Sequence, residues 1–228
     1  MKILVLILSS DGGVYTELQR VWRSYLHKFP EIFEIYFYKA DPALTTDWKF
    51  DNDTLYVKCP ENLGSVAKKL QLALKAFESR LDDFDYIFRP NLSSFIIVDR
   101  YLEALARMPL EAACMAKEHV KPAIFPTGAG FTITRDIVRA IIAAPFKQRL
   151  HGGDDVAVGD LLQTMKIKIT DIPRIDITDA RHHAAYLTRI RQGPTIFHIR
   201  VKHDCANRIP LDLSFHKALL KEYYNIDF

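Results

Sequence analysis

The sequence predicts an α/β protein, a single domain with a mixed, mostly parallel sheet flanked by helices. Three observations predict it. The chain opens on "KILVLIL", a continuous apolar run rather than an alternating one, as a strand covered on both faces requires. Segments of strand composition then alternate with segments of helical periodicity over about the first 110 residues. No Gly/Ser/Pro-rich linker, low-complexity run or internal repeat divides the 228 residues, a length sufficient for one well-buried core.

Each element follows from its local pattern. After the first strand, "SSDGG" supplies turn chemistry. Val14, Leu18, Val21, Trp22 and Tyr25 then fall on one face of a helix. Residues 33–38 ("FEIYFY") and 54–58 ("TLYVK") are short β-rich runs. Between 63 and 81, Val66, Leu70, Ala73, Leu74 and Phe77 repeat at three and four, the spacing of a second amphipathic helix. Residues 84–89 ("FDYIFR") form a strand halted by Pro90, a helix follows over 97–106, and "AACMAK" is a strand. "AGFTITRD" reads as a strand running into a helix over 136–143. The stretch "HGGDDVAVGDLL" (151–162) begins a helix through Met165, and "KIKITDI" is the strand after it. The late "FHKALLKEYYNIDF" has an apolar helical face. Such an order suits a nucleotide-binding half over about 1–110 and an acceptor and catalytic half over about 111–228.

Composition narrows the function. The apolar run after Lys2 is six residues, too short for a signal segment or a membrane span, and no later segment is long enough. Cys59, Cys114 and Cys205 are far apart and odd in number, with no CxxC pair. Reduced thiols in a cytoplasmic protein are expected. The net charge of +3 comes from interspersed acids and bases, so charge gives no reason to expect a nucleic acid partner. The mild basic bias suits an anionic small molecule. Bases and histidines thicken between 181 and 208. Residues 181–191 read as a basic loop closing over a ligand. The adjacent His182 and His183 read as part of a solvated loop. No sustained heptad appears, and a monomer is expected.

In open α/β sheets ligands bind beyond the carboxyl ends of the strands, which nominates "SSDGG" and "RPNLSS". Ser9, Ser10 and Asp11 allow close approach of a nucleotide, or Asp11 or Ser10 caps the following helix; both readings stand. The stretch is not a P-loop, because no GK[ST] follows. In "YIFRPNLSSF", Arg89, Asn91, Ser93 and Ser94 form a polar patch after a buried strand, and a cap at Asn91 or Ser93 explains one of the four. In "FPTGAGFTITRD", Gly128 and Gly130 permit unusual backbone angles or leave room for a ligand. In "HGGDDVAVGDLL" two carboxylates, Asp154 and Asp155, open one helix, where a single acid suffices as a cap.

The order "RPNLSSF", "TGAGFTITRD", "GGDDVAVGDLL" resembles the fringe and β-1,3-galactosyltransferase class of inverting glycosyltransferases. There a segment like "SGGGYVLSRD" precedes an acidic pair in "EDVYVG" or "DDCTIG". The likeness covers about residues 1–205, and is stronger to compact, unanchored relatives from large viruses and bacteria, which carry "RTNLSSF" and a late "FH-R-K" segment. It implies the GT-A fold, a nucleotide-sugar donor (UDP-linked in the first instance) and a glycan acceptor. It matches Asp155 to the catalytic base, which accepts the proton of the attacking hydroxyl, and leaves Asp154 to cap the helix. Strand-end position and the resemblance, in which Lys69 matches a lysine that reaches the nucleotide, together give the expected donor-binding set Ser9, Ser10, Asp11, Lys69, Arg89, Asn91, Ser93, Gly128, Gly130, Arg200 and Lys202.

One departure matters. The class holds Mn²⁺ or Mg²⁺ with a DxD triplet, and the matching positions here are Asn91-Leu92-Ser93, with no carboxylate. Either a metal is held by Ser93 and His198, the position of the class's late ligand histidine, or Arg89, Lys69, Arg200 and Lys202 replace it. A plain polar role for His198 also stands. The alternative function is a non-catalytic sugar- or nucleotide-binding module of the same fold. A nucleotidyltransferase is a third, although "SSDGG" lacks the arginine such a loop needs.

Overall fold

The computed structural model describes residues 1–120, 123–145 and 153–228, with only the backbone at positions 13 and 14. His151 and Gly152 of the acidic motif therefore lie outside the described residues. In chain order the elements are β1 (Ile3–Leu8), α1 (Gly13–Leu26), β2 (Phe33–Ala40), β3 (Trp48–Asp51), β4 (Thr54–Val57), α2 (Val66–Lys75), β5 (Tyr86–Pro90), β6 (Ser94–Ile96) and α3 (Val98–Leu105). They continue with β7 (Cys114–His119), β8 (Phe125–Ile133), α4 (Arg135–Ala143), α5 (Asp154–Thr164), β9 (Ile169–Asp171), β10 (Arg174–Ile177), α6 (His183–Gln192), β11 (His198–Val201) and α7 (Arg208–Tyr224).

These elements group into two compact units. The first comprises residues 1–11, 31–91 and 109–171 and holds an eight-stranded sheet in the order β3-β4-β2-β1-β5-β8-β7-β9. Strands β4, β2, β1 and β5 run parallel, β3 and β8 are antiparallel to their neighbours, and β7 pairs β8 antiparallel and β9 parallel. The sheet is thus mixed, with its parallel part at β1. Leu4 and Leu6 of β1 join Leu70 and Leu74 of α2, Ile137 and Ile141 of α4 and Leu162 of α5 in one apolar cluster. Ile3, Val5 and Ile7, on the opposite face of β1, are also wholly buried, which is why the run is continuous rather than alternating.

The second unit, residues 12–30, 92–108 and 172–228, contains a three-stranded sheet, β10-β11-β6, with β10 parallel and β6 antiparallel to the central β11. Its aromatic core stacks Tyr25 of α1 on Phe95 of β6 and on Tyr224 of α7, with centroids 4.7 and 4.8 Å apart.

Four short strands, β3, β6, β10 and β11, go beyond the elements expected from sequence. The β3–β4 hairpin turns at Asn52, in the left-handed region at φ 51°, where asparagine is tolerated. The basic loop expected over residues 181–191 is corrected. A 3-10 turn, Ala180–His182, leads into helix α6, of which only Ile190 is buried. A helix with so narrow an apolar contact leaves little periodic signal. His183 is correspondingly half-buried rather than solvated, with its Nε2 2.7 Å from Nε2 of His203.

Candidate functional site

The carboxyl ends of β1, β2, β4 and β5 converge in the first unit, and most of the nominated residues lie there. The Ser9 N–H donates to the Tyr38 carbonyl at 3.1 Å, and Leu8 bridges to Asn91. Ser10 Oγ donates to Glu61 Oε1 at 3.0 Å, and the Ala40 N–H donates to Glu61 Oε2 at 3.2 Å. Lys69, buried on α2, donates from Nζ to the Ser9 carbonyl at 2.7 Å and to Glu61 Oε2 at 2.7 Å. Burial pushes the Lys69 ammonium down from its ordinary pKa, and Glu61 opposes that shift. Asp11, exposed, accepts from Lys39 Nζ at 2.8 Å. Neither Ser10 nor Asp11 caps α1: the cap is Gly12, whose φ of 114° requires glycine. Glu61 was not foreseen. Its signal is position, since it is an acid just beyond a strand's carboxyl end in "TLYVKCPE".

A second cluster joins β5, the start of β8 and the start of α5. Asn91 donates from its backbone N–H to the Ala129 carbonyl at 2.9 Å and from Nδ2 to the Gly128 carbonyl at 3.1 Å. Arg89 is wholly buried. Its Nε donates to Tyr38 Oη at 3.1 Å, its Nη1 to the Gly128 carbonyl at 2.6 Å, and its Nη2 to Asp154 Oδ1 at 2.6 Å. Tyr38 is a further buried member that the sequence did not single out; burial raises its phenol pKa well above the ordinary value.

The two acids are separated by this geometry. Asp154 is 2% exposed, and burial raises its carboxyl pKa while Arg89 opposes the rise. The expectation that Asp154 caps α5 is corrected. The cap position is Gly153, and Asp154, one residue further in, accepts from Arg89 and from the Asp155 N–H at 3.1 Å. Asp155 is half-buried, and its Oδ1 accepts from the Val156 N–H at 2.9 Å. Its other surroundings are two glycines. A Cβ placed on Gly128 would stand 2.7 Å from Asp155 Oδ2, and one on Gly153 would stand 2.6 Å from Oδ1. Any side chain at either position would displace the carboxylate. Gly130, buried, pairs with Pro90 across the β5–β8 ladder. Gly159 serves packing, since a Cβ there would meet the Phe125 backbone at 2.8 Å.

The remaining nominated residues, Ser93, His198, Arg200 and Lys202, belong to the second unit. The Ser93 carbonyl accepts from the Val201 N–H at 2.7 Å, and neither it nor Asn91 caps α3, whose cap is Ile97. His198 is 1% exposed with Nε2 3.1 Å from Ser94 Oγ. Burial, then the charges of Arg174 and Arg200, hold its imidazole down to about 3. Arg200 is half-buried and Lys202 exposed. As a place for Mn²⁺ or Mg²⁺, Ser93 and His198 fit poorly. Hard dications take carboxylate oxygens, whereas these two donors are neutral and the imidazole is flanked by guanidiniums. Among the described residues, no group of three His, Cys, Asp or Glu side chains is disposed to hold a metal ion. Nor is any helix among them long and apolar enough to cross a membrane.

No family model matches the chain, and no curated protein sequence matches it. Among solved structures, A197 from STIV aligns over 74% of this chain and 80% of its own at TM-score 0.38 and 12% identity, too low a score to carry an argument. The crystal structure of a glycosyltransferase involved in the glycosylation of the major capsid of PBCV-1 aligns over 96% of this chain and 100% of its own, at TM-score 0.55 and 10% identity. At that identity the likeness shows the fold alone: this chain has the mixed α/β fold of a solved glycosyltransferase structure.

Proposed function

We propose that this chain is an inverting glycosyltransferase of GT-A type that moves a sugar from a nucleotide sugar, UDP-linked in the first instance, to a glycan hydroxyl. The observation that carries the reading is the division of labour at the mouth of α5. Asp154 is committed to the buried Arg89, while Asp155 presents a half-buried carboxylate between two glycines. Structural duty alone needs the first acid and the cap glycine Gly153, and gives no reason for a glycine at 128 against the second acid. The fold shared with a glycosyltransferase structure supports the same reading.

Inversion requires a single displacement. The acceptor oxygen attacks the anomeric carbon, the bond from that carbon to the diphosphate oxygen breaks, and the nucleoside diphosphate leaves. The acceptor proton passes to Asp155. A base placed for that transfer contributes about 10²–10⁴-fold to the rate.

The test is Asp155→Asn. Transfer from a nucleotide sugar, assayed over a panel of UDP-, GDP- and dTDP-linked donors, is expected to fall by about 10²-fold or more, with donor binding by thermal shift retained. Near-normal turnover in the variant would remove Asp155 as the base. Donor binding by the wild type without turnover of any donor would leave the non-catalytic module.

A further inference from the structure

The resemblance leaves a gap where the carboxylates of a metal triplet are absent, and four cations were candidates to fill it. Two are already engaged in the first unit. Arg89 is enclosed by Tyr38, Gly128 and Asp154, and Lys69 by Ser9 and Glu61, each with a side chain 2% exposed. Arg200 differs. It makes no ion pair and no side-chain hydrogen bond among the described residues, and its Nε is buried without a partner.

Its position follows from strand geometry. Neighbours paired across a sheet point to the same face, as do residues two apart on one strand. In the β10-β11-β6 sheet, Ile175, Ile177, Ile199, Val201 and Phe95 fill one face and are all buried. The other face carries Arg174 beside His198 beside the buried Ile96, and Asp176 beside Arg200 beside Ser94. Asp176 is the one carboxylate on that face, and Arg174 grips it through Nε at 2.7 Å and Nη2 at 2.9 Å. Nearby, Arg208 is matched to Asp212 at 2.7 Å. Arg200 is left as a half-buried guanidinium with an unsatisfied donor and no ion pair among the described residues; Asp176 and Asp204 act on its charge without pairing with it, and the buried donor costs free energy until an anion completes it.

We propose that this polar face, centred on Arg200, is a binding site for a phosphate or diphosphate group that operates without a divalent cation. The planar guanidinium fork matches phosphate oxygens bidentately. The same face repels a dication, because the guanidiniums of Arg174 and Arg200 line it and Arg174 engages its carboxylate. Burial weakens the hold of Arg200 on its proton, Arg174 and Arg208 add to the shift and Asp176 and Asp204 oppose it; a bound anion offsets the net penalty. The phosphate class comes from the chemistry of the face; that the group is the diphosphate of a nucleotide sugar rests on the glycosyltransferase reading.

The experiment is isothermal titration of inorganic pyrophosphate into the intact chain in metal-free buffer with a chelator. Wild type, Arg200→Gln and Arg200→Lys are compared, with thermal unfolding to confirm that each is folded. Wild type is expected to bind. Arg200→Gln should bind at least tenfold more weakly, the loss expected for a charge-assisted hydrogen bond. Arg200→Lys, which keeps the charge and loses the fork, should fall between them. Absence of binding by wild type under chelation, or equal affinity for Arg200→Gln, overturns the proposal. Sugar transfer measured on the same proteins separates the two ideas. Undiminished transfer by Arg200→Gln removes this site and leaves the glycosyltransferase reading. Pyrophosphate binding through Arg200 without turnover of any donor does the reverse.

Discussion

Removing either partner of the Arg89–Asp154 pair should be among the most damaging single changes outside the apolar core. Arg89 is 1% and Asp154 2% exposed, with Nη2 and Oδ1 2.6 Å apart. Opposite charges about 4 Å apart attract by about 4 kcal/mol at an effective dielectric constant of about 20. Losing one partner of a buried pair costs about 3–5 kcal/mol, because the survivor is left uncompensated. The two figures agree. In Asp154→Ala the guanidinium keeps only the Tyr38 hydroxyl and the Gly128 carbonyl. In Arg89→Met, Asp154 Oδ1 keeps only the Asp155 N–H, and Oδ2 has no partner to begin with. Urea unfolding followed by circular dichroism should show a loss of about 3–5 kcal/mol for each. Arg89→Met with Asp154→Leu should cost well under the sum, since neither charge is then stranded. Single losses under about 1 kcal/mol, the size of an exposed pair, or strictly additive losses, would refute the view that a desolvated ion pair organises this site.

Gly128→Ala places a Cβ 2.7 Å from Asp155 Oδ2, the mobile end of a side chain, so unfolding temperature should hardly change while the carboxylate moves. Transfer should drop by about 10²-fold, the cost of a displacement near 1 Å; full activity would mean that the glycine cradle does not position Asp155. His198 makes stability sensitive to acid. Its folded pKa of about 3 lies below its ordinary 6.5, so between those values the unfolded chain binds a proton that the native chain does not. Its contribution is therefore complete above 6.5 and is lost as pH falls toward 3, about 2 kcal/mol at pH 5. His216, also buried, and half-buried His183 shift in the same direction. The check is thus the difference between wild type and His198→Gln: denaturant unfolding at pH 7 and pH 5 should show about 2 kcal/mol more loss in wild type, and equal losses would refute the assignment.

The first strand, the helices α1, α2 and α4 and the acidic helix α5 were legible because each carries its own period or its own terminus signal. "KILVLIL" could not be half-exposed, and the repeat of Val66, Leu70, Ala73, Leu74 and Phe77 suits only a helix. What escaped was short or locally unmarked. Strands β6 and β10, of three and four residues, are held by ladder partners distant in sequence, and α6 has one buried residue. The hairpin at Asn52 did leave a sign, the turn residues of "DNDT", beside too brief an apolar run.

The sequence by itself determined the α/β class, the parallel first strands and the cluster of small and polar residues at their carboxyl ends. All of these follow from periodicity and turn chemistry within a few residues. It also marked Asp154 and Asp155 as one acid more than a helix start needs. Only the tertiary structure decided which acid and which cation remain available. Arg89 reaches Asp154 across 65 residues of chain and Lys69 is claimed by Glu61, whereas Asp155 and Arg200 make no ion pair among the described residues. The physical reason is that a charge is spent or left available by what lies within a few ångströms of it, and for these groups that neighbour is set by folding rather than by adjacency in the chain.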